Sequence, residues 1–106
     1  MLDAFLEQKT KQLVFFLSRY LRGQLPYREM HLFIWDTLEE WAQLNVSNKV
    51  PQSFREIVFW HLIYQLEFCS EIELKSDRRL RRELQQCMGY LLGKTLVPTD
   101  FVSVRP

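Results

Sequence analysis

The 106-residue chain is short of glycine, with three, and of cysteine, with two, and it carries almost no net charge: 14 Lys and Arg stand against 13 Asp and Glu, a formal +1. Each shortage excludes something. Gly23, Gly89 and Gly93 are never gathered into a phosphate-cradling loop, and no nucleophile elbow occurs. A net charge near zero supplies no global field to draw in nucleic acid or an acidic membrane, so any electrostatic function must come from a local patch. Cys69 and Cys87 fit a reduced, cytosolic protein. Together with His31 and His61 they offer no C-x-x-C or H-x-x-x-H spacing, and neither a metal nor another cofactor is expected. The opening MLDAFLEQKTKQ has an acid at its third position and no long apolar core, unlike a signal peptide. The most apolar run, IVFWHLIY, is bounded by Glu56 and Glu67 and falls far short of the roughly 20 residues of a membrane span, so no membrane partner is expected.

What is present is a globular balance, 47% apolar and 25% charged, in a chain the size of one domain. Eight Phe, four Tyr and three Trp are more aromatic surface than so small a chain buries, which leaves some for a partner. Period-two alternation is missing, and four helices are predicted. The first runs from about Leu2 to Arg22 with an inward stripe of Leu6, Leu13, Phe16, Leu17, Tyr20 and Leu21. Lys9 and Thr10 interrupt that stripe and place its first turns outside the core. The second begins near Pro26 and ends near Leu44, with Tyr27, Met30, Phe33, Ile34, Leu38, Trp41 and Leu44 inward and Glu29, Asp36 and Glu40 on the far side. Ser53 and Glu56 form a Ser-x-x-Glu capping box that opens a third helix to about Cys69. That helix is apolar almost all round, with only the sector of Glu56, Trp60 and Glu67 expected to face solvent, and it belongs at the centre. SEIELK is read as a connection. The fourth helix continues to about Leu92 with Leu80, Leu84, Cys87, Met88 and Leu91 inward, and Phe101, Val102 and Val104 of the extended tail are expected to lie back on the bundle.

The stretch SDRRLRREL, residues 76–84, places four arginines where a helix begins, although a helix start already presents partial positive charge. Ser76 or Asp77 can cap the helix, Asp77 is also positioned to reach Arg81, and Arg79 to reach Glu83 in the less favourable order. Arg78 and Arg82 lie opposite the core with no acid at favoured spacing, and Gln85, Gln86 and Gly89 continue their line. Two readings stay open: a solvated face balanced by Glu71 and Glu73, or a patch that meets an anion. On the first helix, Phe15 lies outward among Lys11, Arg19 and Arg22, either as an ordinary exposed aromatic or as a contact residue. Glycine within a helix costs about 1 kcal/mol, so Gly89 suggests close approach of a neighbour, whereas Gly93 suits a helix stop. His61 and Gln65, one turn apart on the central helix, read as core polar groups that hydrogen-bond to each other or to a neighbouring helix.

The expectation is an all-α bundle acting as a protein interaction or regulatory adaptor module without catalytic activity. Its contact residues would be Arg78, Arg82, Gln85, Gln86, Gly89, Phe15, Arg19 and Arg22, and its partner another protein or a second copy of the chain. Nucleic acid is the alternative, because Arg and Gln pair with base edges. Against it, the connection before the third helix is too long for a helix-turn-helix and that helix is too apolar to read a groove.

Overall fold

In the computed structural model, which describes residues 1–47, 49–94 and 105–106, those residues are helical without strands. Five helices follow one another: α1 (Leu2–Leu21), α2 (Tyr27–Leu44), α3 (Phe54–Phe68), α4 (Glu71–Ser76) and α5 (Arg78–Leu91). The two glycine stops act alike. Gly23 and Gly93 take the left-handed φ values of 74° and 75°, which cost glycine nothing. Each lets the next residue turn back, so that Gln24 N donates to Arg19 O and Lys94 N to Gly89 O, closing α1 and α5 with the same pair of capping bonds. Asn45, the residue after α2, is also left-handed, which its side chain tolerates.

The four long helices pack in a ring in the order α1, α2, α3, α5 and back to α1. Aromatic contacts show the directions. Phe16 stacks on Phe33 and Tyr20 meets Tyr27, so α1 and α2 are antiparallel. Phe54 meets Tyr90 while His61 meets Glu83, so α3 and α5 are antiparallel as well. Leu80, Leu84, Cys87, Met88 and Leu91 are the buried residues of α5, the stripe its sequence predicts. The inward arc of α2 holds for Met30, Phe33, Ile34 and Trp41, with Tyr27, Leu38 and Leu44 half-buried and Thr37 added. The placement of Phe101, Val102 and Val104 lies outside the described residues.

Four expectations are corrected. The first turns of α1 are inside: Phe5, Lys9 and Thr10 are buried. Lys9 lies in the α1–α2 seam, its ammonium bonded to Glu40 and Gln12 and 5.8 Å from the centre of the Phe33 ring, so a cation there interrupts nothing. SEIELK contains a helix. Ser70 Oγ accepts from Glu73 N and the Glu73 carboxylate accepts from Ser70 N, a complete capping box that starts α4.

The third correction concerns Ser53 and Glu56, which make half a box. Ser53 Oγ accepts from Glu56 N at 3.0 Å, but the Glu56 carboxylate turns inward. It follows that the sector expected to be solvated is core: Glu56 and Trp60 are buried and only Glu67 is partly open. Trp60 sits edge-on to Trp41 at 4.9 Å and to Phe59 at 4.8 Å, and its indole N–H donates to Glu56 Oε2 at 3.0 Å. The carboxylate is neutralised from 49 residues away by Arg105.

The fourth correction is at the start of α5: the Asp77 carboxylate accepts from Leu80 N at 3.0 Å and caps the helix, one of the two caps expected there, but it does not hold Arg81. The hydroxyl cap and the buried carboxylate at the start of α3 predict different costs. Ser53→Ala should lower unfolding free energy by about 0.5–2 kcal/mol, whereas Glu56→Gln, which strands a buried guanidinium, should cost about 3–5 kcal/mol. Denaturant midpoints of the two variants measure the difference, and equal losses would refute the central role of Glu56.

Candidate functional site

Arginines at the start of α5 have separate fates. Arg81 is structural: its Nη1 donates to Leu74 O at 2.9 Å and its Nη2 to Leu21 O at 2.7 Å. Those carbonyls belong to the ends of α4 and α1, where helices leave acceptors without partners, and a planar guanidinium can serve two at once. Glu83 does not pair with Arg79; its Oε1 accepts from His61 Nε2 at 3.0 Å. Arg78, Arg79 and Arg82 are exposed, and among the described residues none of them has an ion-pair partner. Gln85 and Gln86 are exposed farther along the same helix, and Gly89 is half-buried.

The predicted residues of α1 lie beside this end of the molecule. Phe15 is 50% exposed and packs edge-on against Phe16, and the Arg19 guanidinium sits 4.4 Å from the centre of the Phe15 ring. That contact orients the cation while leaving its charge in solvent. Arg22 is exposed at the end of α1, next to Leu21, whose carbonyl holds Arg81. One hydrogen bond thus brings Arg22 to the end of the bundle that carries Arg78 and Arg82. Arg19 and Phe15 lie one and two turns back along α1, and Gln85, Gln86 and Gly89 run the other way along α5. No acidic residue occupies these eight positions.

His61 and Gln65 do not bond to each other. His61 ties α3 to α5 through Glu83, and Gln65 Oε1 accepts from Cys69 Sγ at 3.4 Å. Both thiols are held protonated. Burial, with a smaller contribution from Glu83, pushes Cys87 up to about 12, and burial together with Glu73, Glu83 and Asp77 raises Cys69. A thiol kept from ionising is a poor nucleophile and a poor ligand. Among the described residues no three of His, Cys, Asp or Glu gather where a metal ion could sit.

The structure also shows features that sequence reasoning passed over. Tyr27, His31 and Trp35 form an aromatic ladder along one side of α2, running from half-buried Tyr27 to exposed Trp35, with Trp35 Nε1 donating to His31 Nδ1 at 3.2 Å. Phe68 and Ile72 are each 76% exposed at the α3–α4 junction. Trp35 was legible on the helical wheel, since it falls outside the inward arc of α2. The seat of Arg105 had no local signal.

Comparison with known proteins finds no matching family model, no matching curated protein and no matching solved structure. No helix among the described residues is long and apolar enough to cross a membrane.

Two predictions follow from these placements. Arg81→Gln should destabilise the fold by about 1.5–3 kcal/mol because two helix-end carbonyls lose a charged donor, while Arg82→Gln should stay within about 0.5 kcal/mol of the parent; chemical denaturation of the pair checks both. Cys87 supplies a pH dependence. Its folded pKa of about 12 exceeds the ordinary thiol value of 9.0, so its contribution is complete below about pH 9 and is lost as pH rises toward about 12. The slope reaches about 1.4 kcal/mol per pH unit. Denaturant midpoints across that alkaline range should fall less steeply in Cys87→Ala than in the parent.

Proposed function

We propose that the chain is a small cytosolic interaction module without catalytic activity, and that it presents the arginines of the α1–α5 end to an acidic surface on a protein partner. The observation that carries this reading is the exposure of Arg78 and Arg82 near the positive end of α5, with no carboxylate partner among the described residues. Each position costs about 0.3–1 kcal/mol in an isolated helix. The neighbouring Arg81 shows what a stabilising arginine looks like at this site, and Arg78 and Arg82 do not resemble it. Arg19 and Arg22 extend the cationic face, and Phe15 adds the aromatic contact typical of an interface core. The two free cysteines, Cys69 and Cys87, accord with a reducing compartment.

The double change Arg78→Gln, Arg82→Gln deletes two charges while keeping helix propensity, so a change in binding can be assigned to electrostatics. Thermal stability is expected to be unchanged or slightly higher. Capture of the partner from native extract, treated with nuclease, should fall most at low salt, with the loss in the association rate. Sensitivity to nuclease, with a salt slope reduced by about one per lost phosphate contact, would make the partner nucleic acid, the reading for which the exposed Gln85 and Gln86 are suited. Sedimentation of the purified parent and double variant separates a second copy of the chain from a foreign partner. A lower thermal midpoint with capture intact would overturn the proposal.

A further inference from the structure

At the opposite end of the bundle, the chain folds a guanidinium into a site made of Trp41, Ser47, Val50, Pro51, Glu56 and Trp60. Arg105 Nε donates to Glu56 Oε2 at 2.6 Å and Nη2 to Oε1 at 2.8 Å, a two-pronged carboxylate bond. The rest of the fork is satisfied by loop carbonyls: Nη1 reaches Val50 O at 2.6 Å and Ser47 O at 3.5 Å, and Nη2 reaches Pro51 O at 3.4 Å. The guanidinium carbon lies 6.0 Å from the centre of the Trp41 ring, and Trp41 Nε1 donates to the carbonyl of Pro106 at 3.2 Å. The side chains of Arg105 and Glu56 are 8% and 1% exposed.

Three properties make this a receptor rather than an incidental ion pair. It is specific for shape, because a planar fork meets a carboxylate and loop carbonyls together, which a lysine ammonium cannot do. It is prepared in advance: the Glu56 carboxylate forgoes the return bond of its capping box and is fixed by the Trp60 indole. Its walls come from α2, the loop after it and α3, all at least 45 residues before Arg105 in the chain, and a cleft of about 280 Å³ continues past the guanidinium along Leu38, Ala42, Asn45 and Val46.

We propose that this is an arginine-peptide binding site whose resident ligand is the chain's own Arg105–Pro106, and that an arginine-bearing peptide segment from another protein competes for it. A tethered ligand occupies its site at an effective concentration in the millimolar range. Outside peptides are therefore held off until the resident arginine leaves. The site recognises a cation, so it is distinct from the arginine face at the far end of the bundle and does not depend on it.

The test uses the full chain carrying Arg105→Ala, with acetyl-Ser-Val-Arg-Pro as the probe and acetyl-Ser-Val-Lys-Pro as its control. By calorimetric titration the variant should bind the arginine peptide with a dissociation constant on the order of 1 mM, at least about tenfold more tightly than the parent does, and should take the lysine peptide about tenfold more weakly. Adding Glu56→Gln should abolish binding. The arginine peptide should also raise the thermal midpoint of Arg105→Ala and leave that of the parent unmoved. Should Arg105→Ala be unfolded by itself, the arginine peptide is expected to restore its helical circular dichroism, and failure to do so overturns the proposal. So does a folded Arg105→Ala that ignores the arginine peptide or accepts the lysine peptide equally well.

Discussion

The constraint on which the rest of the bundle depends is that α3 has to be enclosed. Its buried residues include Val58, Phe59, Trp60, Leu62, Ile63 and Leu66, which at helical spacing spread over more than half of the circumference of a 15-residue helix, with Ile57, His61, Tyr64 and Gln65 half-buried beside them. A helix of that kind cannot rest on a surface, so α2 and α5 take two sides of it. Enclosure then creates a sequence of obligations. Burying Trp60 requires an acceptor for its indole N–H, one turn back, and Glu56 supplies it. Burying Glu56 requires a countercharge, because an uncompensated carboxylate in the interior is far more costly than the hydrogen bond it makes. Arg105 meets that requirement, and its bond to Glu56 raises the arginine's own pKa against the opposing effect of burial. The core of α3 and the position of Arg105 are thus one arrangement.

How much of this was legible in the sequence depends on the range of the forces involved. The stripes of α2 and α5 were, because burial repeated at helical spacing leaves a pattern in any window of a few turns. The ends at Gly23 and Gly93 were too, since the left-handed cap has a strong local residue preference. α4 escaped periodicity because six residues bury only Leu74, which makes no stripe; its Ser-x-x-Glu signal at Ser70 was present in the sequence all the same. Lys9 and Glu56 were misplaced for a different reason. A helical wheel sorts residues by type, and each of these charges is admitted to the interior by a partner on another element, Glu40 in one case and Arg105 in the other.

The same division runs through the candidate face. Arg78 and Arg82 could be placed outward because the stripe of Leu80 and Leu84 settles which side of α5 is buried. The role of Arg81 could not, because the two carbonyls it serves lie seven and sixty residues earlier. Local pairing rules assigned it to Asp77 and Arg79 to Glu83. In the structure Asp77 is drawn to the helix cap and Glu83 to His61. Competition of this kind is general: a helical i,i+4 ion pair is worth only about 0.3–0.5 kcal/mol, less than a charged donor gains from carbonyls that would otherwise go without a partner.

Arginine therefore plays two opposed parts in this molecule, distinguished by what surrounds the guanidinium. Where carbonyls or a carboxylate converge on it, as at Arg81 and Arg105, the side chain closes gaps that helices and loops cannot close for themselves, and its loss is a loss of structure. Where it stands in solvent near a helix start, as at Arg78 and Arg82, it has no ion-pair partner among the described residues to offset the helix dipole. The two groups also lie apart, Arg105 by the start of α3 and Arg78 and Arg82 by the start of α5, which the antiparallel packing of those helices puts at opposite ends. Sites so separated and without shared partners respond to substitution independently to within about 0.3–0.5 kcal/mol. Changes at one end can consequently be interpreted without correcting for the other, so that a binding defect from the α5 arginines and a folding defect from the Glu56 site would not be mistaken for each other.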